Sequence, residues 1–367
     1  MDTKILALYL PQFYETEYNN NWWGKGYTEW VACKNAKPLY KNHYQPRAPL
    51  NNDYYELTDV DTLRWQSNIA KDHGIDGFAI YHYYSKGQKL LEKPTELLLK
   101  NKDIATEFCL YWANHDWRRN WFGREPELLF KQEYGDKQDW IAHFDYCKDY
   151  FIDKRYIKLE NKPVFFIFEA NNFKKLDEFI QCWNEKAKKL GFDGIYFVKT
   201  IGPRSTLDKG KCDAVFEREP MYTLRYGISK QKYLFSRFLM LKNRILNKLL
   251  KKFNIGILES SFSYKNCWEN IINRTPKQDN TILGGFTDWD NTPRRSYDGM
   301  IMKGTTPELF QYYMEKQMER CKEYKSPFVV INAWNEWAEG AYLEPDEKYG
   351  YAFLNAIKNC KNVKSGE

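Results

Sequence analysis

Ser326-Pro-Phe-Val-Val-Ile-Asn-Ala-Trp-Asn-Glu-Trp-Ala-Glu-Gly-Ala-Tyr-Leu-Glu-Pro345 decides how this chain is read. Phe328 to Ile331 is an unbroken β-branched and aromatic run, the pattern of a strand buried on both faces in a parallel sheet. At Asn332 the character changes. Trp334, Asn335, Glu336, Trp337 and Glu339 crowd polar and aromatic groups onto the strand's exit. One turn suffices to aim Glu336 and Glu339 into one pocket, and they are the candidate catalytic pair. Aromatic rings stack on sugar C–H faces, and paired acids handle the protons at a glycosidic bond. The same residues also fit a solvated acidic turn beside core tryptophans. The chemical reading gains weight because a buried strand delivers the pair and other strands end in the same way.

Working outward, seven earlier runs share this pattern: 5–10, 77–84, 107–112, 163–168, 195–198, 212–216 and 281–286. Helical spacing fills the intervals, as in Val60, Leu63 and Ile69 before Gly74. Eight strands alternating with helices predict an α/β fold, a (β/α)8 TIM barrel over residues 1–367 as one catalytic domain with long βα loops. A doubly wound open sheet is the alternative, but no glycine-rich phosphate loop follows the first run. In barrels the site is built from the strand exits. The first exit opens a long loop, to about Asp59, whose tryptophans argue against disorder.

Composition agrees with a glycan site. Hydrophobic residues at 43% allow a sizeable core, and 28 Tyr with 13 Trp exceed what a core needs. The eight cysteines show no CxxC or metal-type spacing and read as buried free thiols. No basic segment followed by an apolar run opens the chain, and no run reaches membrane-spanning length. A cytoplasmic protein, reaching at most the inner face of a membrane, is therefore expected.

The exits supply candidate substrate-binding residues. The first offers Tyr9, Gln12 and Trp30. The second offers Tyr81 and His82, although alternation turns about half of such residues outward. Trp112, at the end of the third run, with Asn114 and Trp117 of its exit 113–121, suits sugar hydroxyls, and part of that cluster closes its own loop through Arg118 and Asp116. Asp288-Trp289-Asp290 superficially matches a metal-holding DxD. Two carboxylates make an incomplete metal site, so hydrogen bonding to hydroxyls is preferred and no metal or cofactor is expected. Arg294 and Arg295 either hold an anion in fork geometry or pair with local acids. Trp334, Asn335 and Tyr342 complete the set. Trp334 and Trp337 belong to the core or to the site wall, with at least one at the wall.

Residues 221–258 form a basic insertion without Asp or Glu. Over 230–253, apolar residues recur at helical spacing among Lys and Arg. Such a helix either lies on an anionic membrane surface or packs on the barrel with a solvated basic face. No nucleic-acid module is recognisable.

The phrases Leu8-Tyr-Leu-Pro-Gln-Phe13, Gly24-Lys-Gly-Tyr-Thr-Glu-Trp30, Tyr111-Trp-Ala-Asn114, Trp289-Asp-Asn-Thr-Pro-Arg-Arg295 and Trp334-Asn-Glu-Trp-Ala-Glu-Gly340 resemble the WbsX-type proteins of bacterial O-antigen and capsule assembly, often labelled glycosyltransferases. That family is in turn similar to family 99 glycoside hydrolases, retaining endo-α-mannosidases on a (β/α)8 barrel. The resemblance implies that Glu336 is the base that deprotonates a sugar 2-hydroxyl, giving a 1,2-anhydro sugar. It implies that Glu339 protonates the leaving oxygen and later activates water.

Three functions are therefore expected in order. The first is a retaining endo-glycosidase or transglycosylase acting on a surface polysaccharide or its lipid-linked precursor. The second is a glycosyltransferase with a nucleotide-sugar or lipid-linked donor. The third is a non-catalytic glycan-binding scaffold at the membrane.

Overall fold

The structure, a computed structural model, describes residues 3–119, 127–203, 205–250, 255–258 and 260–362. Trp121, at the end of the third exit cluster, and residues 251–253 of the basic segment lie outside them.

Eight parallel strands form the barrel: β1 (Lys4–Tyr9), β2 (Gly77–Ser85), β3 (Glu107–Trp112), β4 (Lys162–Ile167), β5 (Tyr196–Ile201), β6 (Ala214–Glu217), β7 (Thr281–Phe286) and β8 (Phe328–Asn332). They neighbour one another in chain order, and β1 pairs with both ends of the series. Leu6 lies opposite Gly77 of β2, and Lys4 lies opposite Phe328 of β8. Closure leaves the barrel sheet without the unpaired edge an open sheet would have. Every run expected from the sequence is a barrel strand. The fifth differs most, because Lys199 and Thr200 break the apolar run without ending the strand. Thr200 donates to the Tyr111 hydroxyl (2.9 Å) inside the barrel, while Lys199 reaches outward to Thr206 and to the Asp208 carbonyl.

The helices begin and end on local signals. Helix α1 (Glu17–Trp23) and α2 (Glu29–Lys34) lie in the long loop after β1, followed by α3 (Val60–Asp72). Asp59 caps α3, and Gly74, at φ 84°, ends it. There the Ile75 N–H donates to the Ala70 carbonyl (2.9 Å) and Gly74 N–H to that of Lys71 (3.0 Å), a Schellman pattern. After α4 (Lys93–Lys100), α5 (Lys137–Ile152) starts on a capping box between Asp136 and Asp139. Then come α6 (Leu176–Lys189), α7 (Met221–Tyr226), α8 (Lys230–Leu250), α9 (Tyr264–Ile272), α10 (Thr292–Arg295), α11 (Pro307–Glu323) and α12 (Ala352–Asn362).

Strand alternation divides the core. Tyr81, Tyr111, Phe166 and Phe216 point inward and touch one another. Phe108, Phe165 and Phe197 point outward against Tyr150 and Trp183 of the helical layer. All eight cysteines are buried and none forms a disulfide.

Candidate active site

The turn after β8 is held from several sides. Asn335–Glu336 pairs with Ala341–Tyr342, closing a one-turn 3-10 helix over Trp337–Glu339. Gly340 follows at φ 63°, where a Cβ would lie 2.9 Å from the Asp290 Cβ and 3.0 Å from the Arg47 guanidinium carbon. Only glycine fits that position without strain. The Asp290 N–H donates to the Glu339 carbonyl (2.6 Å), and Arg47 donates to that of Gly340 (3.1 Å). Asn335 brackets Leu10, accepting from its N–H (2.7 Å) and donating to its carbonyl (3.0 Å). Trp337 stacks on Tyr342 at 3.8 Å between ring centres.

This frame turns Glu336 and Glu339 toward Arg294 of α10. Arg294 Nη1 donates to Glu339 Oε1 (2.9 Å), and Nη2 lies 3.6 Å from Glu336 Oε2. A third carboxylate, Glu29 in the first turn of α2, accepts from Arg294 Nε (3.0 Å). The side chains of Glu29 and Glu336 are 2% and 6% exposed, against 18% for Glu339 and 33% for Arg294. Glu339 and Arg294 therefore face the opening. A second guanidinium, Arg218 just past β6, donates to the Tyr81 hydroxyl (3.4 Å) and lies over Phe168. Its field reaches both Glu336 and Glu339.

Three carboxylates facing two guanidiniums leave one uncompensated negative charge if all ionise. Burial, with Glu339 beside it, pushes the Glu336 carboxyl up to about 8, against the pull of Arg294 and Arg218. Glu336 is thereby biased toward its protonated form. Glu336 Oε2 and Arg218 Nε are buried without a hydrogen-bond partner among the described residues.

Of the other expected residues, Tyr81 points into the barrel beside Arg218, and Trp117 meets Tyr83 edge-on at 4.9 Å. Arg294 takes the local-acid alternative, since it is the hub of the carboxylates. Arg295, half-buried, has no ion pair among the described residues. Gln12 contributes its carbonyl, which accepts the Glu29 N–H (3.3 Å).

Several candidates are corrected to supporting positions. His82 and Trp112 occupy outward positions on their strands. His82 meets His143 (2.7 Å), and Trp112 donates to the Tyr84 carbonyl (3.0 Å) while packing on Phe179. Tyr9 is also turned outward, bonding Gln66 (2.7 Å). Trp30 is core, its Nε1 donating to the Tyr55 carbonyl (2.8 Å). Asn114 latches β3 to β4, accepting from the Glu169 N–H (2.8 Å) and donating to its carbonyl (3.2 Å). Trp289 and Trp334 are buried. Tyr342 is buried too, donating to Asp346 (2.7 Å).

Asp288 is engaged by Arg47 (2.9 Å) and Thr305 (2.7 Å), and Asp290 by His43, Gln45 and Thr292. Those partners hold the Asp290 carboxyl well below the usual carboxylate range despite its burial. The DxD thus braces the turn that carries Glu336 and Glu339. Among the described residues, His82, His143 and Cys147 bring three ligand-type atoms within 4.8 Å of one another. They lie outside the barrel wall, where burial pushes His82 down to about 3 and the two imidazoles hydrogen-bond to each other.

Glu29 and Arg218 lie in the same cluster without being sequence candidates, and Tyr83, which follows Tyr81 and His82 at the second exit, faces it too. Glu29 stands in the 24–30 phrase, and Arg218 follows the weakest strand run. Tyr83 shares the alternation that turns Tyr81 inward and lies in the fields of Glu336, Arg294, Glu29 and Glu339.

A cleft of about 470 Å³ opens on the far side of Trp337, lined by Asn52, Asp53, Tyr55, Trp65, Glu344 and Tyr351 among others. It does not include Glu336 or Glu339. Of its two carboxylates, Asp53 and Glu344, the latter is engaged by Tyr55 (2.7 Å), Gln66 (2.6 Å) and Trp337 (2.6 Å).

Residues 5–357 match the family model described as Glycosyltransferase WbsX. The chain is 30% identical over 365 residues to the uncharacterized protein WxcX of Xanthomonas campestris pv. campestris. That alignment covers 97% of this chain and 49% of WxcX, so the chain spans about half the length of the curated relatives it matches. It is similar in structure to the GH99 endo-alpha-mannosidase of Bacteroides thetaiotaomicron, with a TM-score of 0.55, 12% identity and full coverage of both chains. A glycoside hydrolase-like protein gives a TM-score of 0.58 at 13% identity, covering 98% of this chain and 94% of that one. At these identities the structural likeness shows the (β/α)8 fold.

Proposed function

The chain belongs to the WbsX glycosyltransferase family, and from that premise we propose that it cleaves or transfers glycosidic bonds of a bacterial surface polysaccharide with retention of configuration. One observation carries this reading: Glu336 and Glu339 converge on Arg294 at a strand exit, with Glu336 buried and biased toward its protonated form. Glycosidic chemistry needs one carboxyl protonated and its neighbour ionised.

In the first step Glu336 takes the proton of the sugar 2-hydroxyl. The oxygen attacks C1, the bond from C1 to the leaving oxygen breaks, and Glu339 gives that oxygen its proton. In the second step Glu339 takes a proton from water, whose oxygen attacks C1. The C1–O2 bond opens, and Glu336 returns the proton to O2. Burial biases Glu336 toward its protonated form, whereas the first step needs Glu336 ionised and a proton on Glu339. Transfer of that proton on substrate binding sets both roles. Arg294 then keeps Glu29 and turns from Glu339 to Glu336.

The family's description favours a second reading, transfer to a sugar acceptor. The same carboxylates serve it if an acceptor hydroxyl replaces water in the second step. A nucleotide-sugar donor held through a metal at Asp288 and Asp290 is disfavoured by their engagement with Arg47, His43 and Gln45.

A 2-deoxy glycoside tests the route, since it lacks the hydroxyl that attacks C1. It should be inert where the parent sugar is turned over. Equal turnover of the two would exclude the anhydro intermediate. Calorimetry with nucleotide sugars and manganese separates the readings, because tight metal-dependent binding would favour nucleotide-sugar transfer.

A further inference from the structure

Between β6 and β7 the chain leaves the barrel at the end that carries Glu336 and Glu339, and there it builds α8. One side of α8 packs on residues 296–298, directly after α10 and its Arg294. Asn247 is buried in that contact. Its side chain accepts from the Ile257 N–H (2.7 Å) and donates to the Ile257 carbonyl (2.9 Å) and to Asp298 (3.3 Å). Helix α8 therefore stands beside the mouth of the site.

Its opposite side is apolar and uncovered. Leu234, Phe238, Leu241, Ile245 and Leu249 recur every three or four residues, with Phe235 beside them, and each is 56–66% exposed. Spacing of this kind places them on one helix face. Fourteen large apolar side chains are exposed among the described residues, and eight of them lie between 234 and 257. A contiguous apolar row of this kind marks a contact surface.

Charge selects the partner. Arg237, Lys242, Arg244 and Lys248 are exposed along the same helix, and no Asp or Glu occurs between Pro220 and Leu258. A second copy docked on this face would set one acid-free basic helix against another. A helix with an apolar face, basic residues and no acids fits an anionic bilayer, its apolar face at the acyl boundary and its cations among the headgroups. No described helix is long and apolar enough to cross a membrane.

We infer that α8 docks the catalytic end of the barrel on an anionic phospholipid surface, so that the mouth receives a saccharide held at the bilayer by a lipid anchor. The lipid-linked substrate rests on the function proposed above, whereas the docking does not.

Flotation of the full chain with phosphatidylcholine vesicles, with and without phosphatidylglycerol, tests the docking. Wild type should float only with the anionic vesicles and should be released by high salt. The double variant Phe238→Ser/Ile245→Ser should stay in the bottom fraction while melting like wild type. Lys242→Glu/Lys248→Glu, which leaves the apolar row intact, should bind at least about tenfold more weakly. Flotation unaffected by both variants, or no flotation of wild type, would overturn the docking. So would a wild-type dimer that the apolar variant turns into a monomer, since a second copy would then cover the row. Both variants should cleave water-soluble oligosaccharide as wild type does and act on a lipid-linked glycan about tenfold more slowly. Flotation without activity on either glycan defeats the proposed function and leaves the docking intact. Cleavage of soluble glycan without flotation does the reverse.

Discussion

Glu336 is buried against its own ionisation, and that has consequences for stability as well as chemistry. Its folded value lies above the ordinary 4.5, at about 8. Between those values the native chain keeps a proton that the unfolded chain has lost. The contribution is complete below about 4.5 and is lost as pH rises through about 8. Glu336→Gln cannot ionise there, so its stability relative to wild type should improve from pH 5 to pH 8.5, by roughly 2–4 kcal/mol. Thermal unfolding at the two pH values measures this, and parallel behaviour of the two proteins would contradict the assignment. Activity should follow the same proton. The working pair holds one, so kcat/KM should fall as pH rises through about 8. A profile flat to pH 10 would show that the pair does not set the rate. The carboxylates themselves were legible in the sequence. Their partner Glu29 was not, because it is about three hundred residues away in the chain and only folding brings it to Arg294.

At the scale of the element, the turn carrying Glu336 and Glu339 is a glycine-closed loop braced by the segment after β7. The Asp288-Trp-Asp290 triplet read as a sugar-binding candidate because sequence shows the acids and not the residues that meet them. Arg47, His43 and Gln45 come from the loop after β1 and consume both carboxylates. Gly340→Ala forces a side chain onto Asp290 at a positive φ, which should destabilise by roughly 1–3 kcal/mol. It should also displace Glu339, so kcat should fall at least about tenfold with the fold retained. Urea unfolding and steady-state kinetics on the same preparation check both parts. Wild-type kcat in Gly340→Ala would show that the turn need not be held. The strand exits were readable as elements, but the face each side chain takes was not. Tyr81 and His82 are adjacent, and one lies inside the barrel while the other meets a helix.

Across the whole molecule, the eight strand runs were sufficient for the barrel because each is buried on both faces and lacks the polar alternation of a half-exposed strand. The basic helix was equally plain as a helix, but only the fold shows that its apolar side is uncovered and that it stands at the catalytic end. What joins these scales is that barrel closure brings residues from opposite ends of the chain to one mouth. The most direct test is mass spectrometry of the organism's own surface-polysaccharide oligosaccharides after incubation with wild type, Glu336→Gln and Glu339→Gln. Wild type should shorten or extend the oligosaccharides, while each variant should lose at least about a thousandfold in rate. Turnover at the wild-type rate by either variant, or none by wild type, would contradict the two-carboxylate account.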